Sequence, residues 1–140
     1  MSFSEIYQIA GSAMTAQTLR LNTIASNLAN ADAASTTEAG TYRSRKPVFS
    51  TVYENSQFQA NQRAGARVQI VDVVPVEGDL VRRYEPSNPI ADDDGYVFYP
   101  NVDVVSEMAD MMSASRSFET SVDVLGRARS MQQGLLKLGQ

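Results

Sequence analysis

From Val102 to Gly139, apolar residues return every three or four positions: Val104, Met108, Met111, Phe118, Val122, Leu125, Ala128, Met131, Leu135 and Leu138. That spacing places them on one stripe of an α-helix. Ser115 is the one interruption before Leu125, and charged residues from Asp103 through Glu107, Glu119 and Asp123 to Lys137 take the opposite face. No proline follows Pro100. Gly126 and Gly134 are interior glycines, each costing about 1 kcal/mol relative to alanine. A helix of about 37 residues is roughly 55 Å long, against about 11–12 residues for a typical globular helix. Asn101 after Pro100 reads as its N-cap, Asp103 suits the positive end of its dipole, and Gly139 stops it.

Ser2 to Asn30 reads as a second amphipathic helix. Ser2 with Glu5 three residues on fits a capping box. The stripe is Phe3, Ile6, Ala10, Ala13, Gln17, Leu21, Ile24 and Leu28. Two successive four-residue steps around Gln17 resemble a stutter in a coiled coil. Ala10, Gly11, Ala13, Ala16, Ala25 and Ala29 are small enough to let a partner helix approach closely. Periodicity alone does not choose between a core-facing helix of a small bundle and a seam for other helices.

Between the helices the pattern changes. Ala31 to Thr41 is small and polar without an apolar period, and reads as a loop or hinge. Pro47–Tyr53, Val68–Val76, Leu80–Tyr84 and Gly95–Tyr99 are β-branched and aromatic. Val68, Ile70, Val74 and Val76 alternate, with Asp72 as the exception. Glu77-Gly78-Asp79 reads as a hairpin loop, and Pro75 suggests an edge strand or an irregularity. Asn55 to Ala66 looks like a loop. The expected fold class is therefore α+β. Residues 2–30 and 102–139 pair as an antiparallel coiled coil, 31–41 is a hinge, and 42–101 is a small antiparallel β-rich insert. With 140 residues, the chain has too little other material to cover two such stripes. Another segment of this chain or another molecule must do so.

Composition removes several chemistries. There is no cysteine and no histidine. That excludes a disulfide, a thiolate nucleophile, a cysteine-based zinc site and the commonest general base. A net charge of −4 gives no electrostatic reason to expect nucleic acid. No apolar run approaches the roughly 18 residues of a membrane span. Met1 to Glu5 lacks a basic n-region, and no continuous apolar h-region follows, so no cleaved signal peptide is expected. Asp92-Asp93-Asp94-Gly95 is the one acid cluster that invites a metal reading. Its acids are consecutive, and Asp103, not a glutamate, falls at the twelfth loop position of an EF-hand. A solvated turn is the better reading. Arg43, Arg45 and Lys46 suit a solvent-facing strand edge or a contact to an acidic partner. Arg82-Arg83 beside Tyr84 is too little for a nucleic-acid surface. No phosphate loop or nucleophile motif occurs. No enzymatic activity, cofactor or metal is expected.

Ser26-Asn27-Leu28-Ala29-Asn30-Ala31 is similar to the S-N-φ-A-N signature of bacterial flagellar rod and hook proteins. Tyr84 to Pro89, Asp94-Gly95-Tyr96-Val97, Pro100 to Val105, Glu107-Met108, Ser113 to Phe118 and Ser130-Met131 follow in the order seen in the flagellar basal-body rod protein family. The chain resembles the C-type proximal-rod branch of that family over about residues 2–50 and 84–140. The wider family continues after the signature with T-P-G-Y. Here Asp32 to Gly40 precede Thr41-Tyr42, and that stretch has no proline, which argues against a hook or distal-rod subunit. Ser56 to Gly65 carry no recognisable signature.

The resemblance implies a structural subunit of the proximal rod, polymerising through its terminal helices into the torque-transmitting drive shaft and its export channel. Implied partners are copies of itself, other rod proteins, the flagellar type III export apparatus and the junction protein at the MS ring. The implied location is the basal body, in the periplasmic space, reached without a cleaved signal. The implied assembly interface is Ile6, Ala10, Ala13, Leu21, Ile24 and Leu28 on the first helix and Met108, Met111, Phe118, Val122, Leu125 and Leu135 on the second. Asn27, Asn30 and the Ala31–Thr41 loop set how the insert hangs from the helices. The terminal segments are expected to be largely disordered until assembly. The reading from a different class is a soluble coiled-coil binding module with a closed helical hairpin.

Overall fold

The structure, a computed structural model, describes residues 2–53 and 66–139. Its element order is α1 (Phe3–Ala29), β1 (Arg45–Tyr53), β2 (Ala66–Pro75), β3 (Val81–Tyr84), β4 (Tyr96–Tyr99) and α2 (Val104–Leu138). This is an α+β arrangement in which two long helices flank two small antiparallel sheets. Apart from Ala66, the loop expected over Asn55–Ala66 lies outside the described residues, as does the side chain of Leu138.

α1 begins with the capping box: Ser2 Oγ accepts the Ser4 N–H at 3.3 Å, and Glu5 Oε2 accepts the Ser2 N–H at 2.8 Å. At its other end Asn30 Nδ2 donates to the Ser26 carbonyl at 2.8 Å, which satisfies one of the orphan acceptors of a helix terminus. α2 is capped two residues later than Asn101 suggests. Asp103 accepts from the Val105 N–H at 3.1 Å and from Ser106 Oγ at 2.8 Å. Asn101 is drawn away by unpaired backbone groups of the strand region. Its Oδ1 accepts the Ser44 N–H at 2.9 Å and its Nδ2 donates to the Val76 carbonyl at 3.2 Å.

The four strands form two separate ribbons. β1 pairs with β2, from Arg45 opposite Pro75 to Tyr53 opposite Ala66. β3 pairs with β4, from Val81 opposite Tyr99 to Tyr84 opposite Tyr96. Glu77-Gly78-Asp79 is therefore not a hairpin loop, because β2 and β3 do not pair. The segment is tied elsewhere: the Val76 N–H donates to the Ser44 carbonyl at 2.7 Å, and Arg43 Nη1 donates to the Gly78 carbonyl at 2.8 Å. The expected alternation along β2 also changes phase. Val48 faces Asp72 but Phe49 faces Ile70, so Val71 is an extra residue. A bulge shifts the buried parity by one. Ile70 and Val73 are half-buried, whereas Val68 and Val74 are exposed.

α1 is the central element. α2 packs along one side of it and the β1–β2 ribbon along another, and among the described residues α2 does not pack along a strand. The β1–β2 ribbon is joined to α1 by the Val68 N–H, which donates to Ser12 Oγ at 3.2 Å. Among the described residues β3–β4 packs against neither helix. It is anchored by Ser35, which exchanges two backbone hydrogen bonds with Phe98 at 2.9 and 3.0 Å, and by its own side chains. Arg82 lies 3.8 Å from the Tyr96 ring centroid and Arg83 lies 4.5 Å from that of Tyr99, so both arginines are occupied as cation–π partners. Tyr99 donates to the Glu85 carboxylate, and partial burial together with that carboxylate raises its hydroxyl pKa above the ordinary value. Gly95 has φ +81°, and a Cβ there would meet Tyr84 at 2.9 Å. Only glycine fits that turn without strain.

Candidate functional site

The two helices run antiparallel. Tyr7 reaches Gln132, Arg20 reaches Asp110 and Asn27 reaches Glu107. The residues of α2 that lose contact with solvent are Glu107, Ala114 and Ala128, which with half-buried Ser121 fall seven apart, and half-buried Met111, Phe118 and Leu125 lie between them. This is a heptad seam whose one line is small or polar. It differs from the line drawn through the large apolar residues. The buried position near Ser115 is Ala114, and Met108, Val122 and Leu135 are 54%, 43% and 59% exposed. Small side chains let α1 come close, and the bulky residues beside them are displaced to the flanks. On α1, Arg20 and Asn27 bond across to α2, so the helix-to-helix line Ile6, Ala10, Ala13, Gln17, Arg20, Ile24, Asn27 keeps regular four- and three-residue steps. The stutter disappears, because it arose from stepping to Leu21 and Leu28 and treating the polar positions as outward-facing. Ala10 and Ile24 are buried, while Ile6, Ala13, Leu21, Leu28 and Asn30 are half-buried.

Where the strands leave the hairpin, the seam is polar. Asn27, 1% exposed, donates from Nδ2 to the Arg45 carbonyl at 2.9 Å and to Glu107 Oε1 at 3.0 Å. Its Oδ1 accepts the Arg45 N–H and the Tyr42 hydroxyl, both at 2.9 Å. Glu107, 5% exposed, also accepts from Ser44 Oγ at 3.4 Å. One asparagine thus joins α1, the start of β1 and α2. Beside it Arg20 and Asp110 form an ion pair at 2.7 Å that is partly exposed, so its contribution is about 1 kcal/mol or less. Farther along α1, Gln17 Oε1 is buried with no hydrogen-bond partner among the described residues.

The outer face of α2 is left uncovered. Val105, Met108 and Met112 are 77%, 54% and 60% exposed, and their spacing puts them on one side of the helix. Val124, Met131, Leu135 and Leu136 extend the apolar exposure toward the end of α2. Between the helices, Ile6, Ile9, Ala13 and Val124 line an apolar groove of about 360 Å³. Contiguous apolar exposure of this kind marks an interaction surface.

The acid turn is a cap. Asp92 Oδ1 accepts the N–H groups of Tyr96 at 2.7 Å and Asp94 at 3.1 Å. Among the described residues, no group of three or more potential ligands is arranged to hold a metal ion, and no helix is long and apolar enough to cross a membrane.

Comparison with known proteins adds independent findings. Residues 8–34 match the family model described as "Flagella basal body rod protein". Residues 93–138 match the one described as "Flagellar basal body rod FlgEFG protein C-terminal". The chain is 46% identical to the flagellar basal-body rod protein FlgC of Escherichia coli O157:H7 and 43% identical to that of Salmonella typhimurium, in each case over the full length of both chains. It is 31% identical to the FlgC protein of Bacillus subtilis over 94% of this chain and 95% of that one.

Proposed function

This chain belongs to the family of the flagellar basal-body rod protein FlgC and is a structural component of the flagellar basal body. From that premise we propose that it polymerises through its terminal helices into the proximal rod. There it forms part of the drive shaft around the channel that export substrates pass. Residues 2–30 and 102–139 form the rod-core unit, 31–41 the hinge, and 42–101 the insert carried outside it. The neighbours are copies of itself, other rod proteins and the MS-ring junction protein. Delivery is through the type III export apparatus into the periplasmic space, without a cleaved signal.

The observation that carries this reading is the uncovered apolar face of α2, on a helix whose inner face is already packed on α1. Covering Val105, Met108 and Met112 against a neighbour removes apolar surface from water at about 25 cal/mol per Å². That gain opposes the entropy of ordering the terminal segments, so folding is coupled to assembly.

Amide hydrogen exchange on the purified protein and on isolated basal bodies tests this. Fast exchange over 2–30 and 102–139 in solution, with protection in basal bodies, is the expected result. The second reading, a soluble coiled-coil module, draws support from the polar node, which already satisfies Asn27 and Glu107 within one copy. Strong protection of both segments in the monomer, together with absence of the protein from basal bodies, would favour it.

A further inference from the structure

A cleft of about 360 Å³ opens where β1 leaves the helical hairpin. Ile24, Pro47 and Phe49 contribute apolar surface to it. Its charged lining is Arg20, Arg45, Lys46, Glu107 and Asp110. Arg20 is matched by Asp110, and Glu107 is held by the neutral donors Asn27 and Ser44. Arg45 and Lys46 are exposed and make no ion pair among the described residues. The Arg45 guanidinium only rests over the Tyr42 ring, 5.6 Å from its centroid. Three cations against two carboxylates leave the cleft one negative charge short of balance.

A segment with the missing chemistry lies elsewhere on the same chain. Ile90 is 38% exposed and is followed, after Ala91, by the acid turn. Asp92 is used internally as the cap of Asp94 and Tyr96. The exposed carboxylates of Asp93 and Asp94 make no hydrogen bond or ion pair among the described residues. The turn is already ordered by the Gly95 N–H to Asp92 carbonyl bond at 2.9 Å and the Asp92 N–H to Tyr96 carbonyl bond at 2.8 Å. A preordered loop loses little conformational freedom on docking.

We propose that the Ile90–Asp94 loop of one copy docks into the β1 cleft of a second copy, with Asp93 or Asp94 meeting Arg45 and Lys46 and Ile90 meeting Phe49. This rests on the reading of the chain as a rod subunit and adds a contact outside the helices. Cleft and loop are different patches, so the contact is heterologous. Each copy offers its cleft to one neighbour and its loop to the next, which builds a ring or a helical array. Paired charges of this kind set register and exclude wrong partners more than they add affinity.

The test uses basal bodies purified from cells expressing full-length variants. Absence of the wild-type protein from them would sink the rod reading itself, independently of this contact. With the wild type present, Arg45→Glu/Lys46→Glu and Asp93→Lys/Asp94→Lys should each lower incorporation about tenfold, and the combined variant should restore most of it. One-sided reversals that incorporate normally, or a combined variant as defective as either, would overturn the proposal. A second readout does not depend on the reversals folding. The chain has no cysteine, so Lys46→Cys/Asp93→Cys gives an unambiguous cross-link. Treatment of rods containing it with a short bismaleimide should yield a ladder of multiples of this chain, and no ladder would reject the contact.

Discussion

At the end of the hairpin where the strands attach, α1 and α2 meet through Asn27, Glu107, Arg20 and Asp110, and these groups bond to one another or to the backbone of β1. At the other end they meet through Ile6, Ala10, Ala13, Ser121 and Ala128, flanked by exposed Val124, Met131 and Leu135. The first end is closed within one copy, because a buried polar group left alone is costly. The second end leaves apolar surface and space beside it: a Cβ on Gly126 or Gly134 would meet nothing within 4 Å. Within the seam, therefore, the strand end fixes the shape of the subunit while the other end leaves room for neighbours, in addition to the outer face at Val105, Met108 and Met112.

Four sets of substitutions and one titration probe that division. The largest effect should come from charges pushed into the seam. Ile24→Asp at the strand end, Phe118→Asp in the middle and Leu125→Asp toward the other end should each cost more than about 3 kcal/mol and abolish both swimming and incorporation. Normal motility in all three would break the division, since neither end would then be needed. Next is Asn27→Leu, which leaves the Arg45 N–H without a partner and the buried Glu107 carboxylate with only the long bond from Ser44 Oγ. A loss of about 2–3 kcal/mol is expected. Asn27→Leu/Glu107→Leu should recover part of it in a double-mutant cycle, because no orphaned charge remains.

Met108→Asp and Leu135→Asp sharpen the contrast. Each should change hairpin stability by no more than about 0.5 kcal/mol, yet reduce incorporation measured by immunoblot of basal bodies. Gly126→Ala and Gly134→Ala should each raise helix stability by about 1 kcal/mol, read as increased helical circular dichroism. Incorporation falling while helicity rises would show that a neighbour occupies the open space. The smallest effect concerns Asp103. Hydrogen bonds from Ser106 and the Val105 N–H hold its carboxyl below the usual carboxylate value. Its capping contribution is therefore complete above that value and disappears as pH falls through the depressed one. Asp103→Asn keeps a capping oxygen, so it should flatten this acid loss of helicity.

Both helices, the Ser2–Glu5 cap, the four strand segments and the Asp92 turn were legible in the chain, because each depends on residues close in sequence. The seam was only partly legible. Hydrophobic periodicity follows large side chains, so it led to Met108 and Leu135 and passed over Ala114, Ser121 and Glu107. Nothing local marks Glu107 as buried, since its partner Asn27 lies 80 positions away. The same limit explains the strand pairing. Glu77 to Asp79 has the composition of a turn, but Ser44, Arg43 and Asn101 decide where the chain goes next. Asn27 and Asn30 could be singled out through the family signature, whereas the fourfold bonding of Asn27 needed the fold.

The bond from Tyr7 to Gln132 spans 125 positions. Closing a loop of that length costs more entropy than forming any local turn, and topologies dominated by such distant pairs fold slowly. A polypeptide delivered from its amino end would therefore offer α1 first to the β1–β2 ribbon and then to the start of α2, and Tyr7 would meet Gln132 only after almost all of its residues had emerged. For a chain exported in that order, the sequence of appearance would act as a timer, with the Tyr7–Gln132 end of the hairpin shutting last.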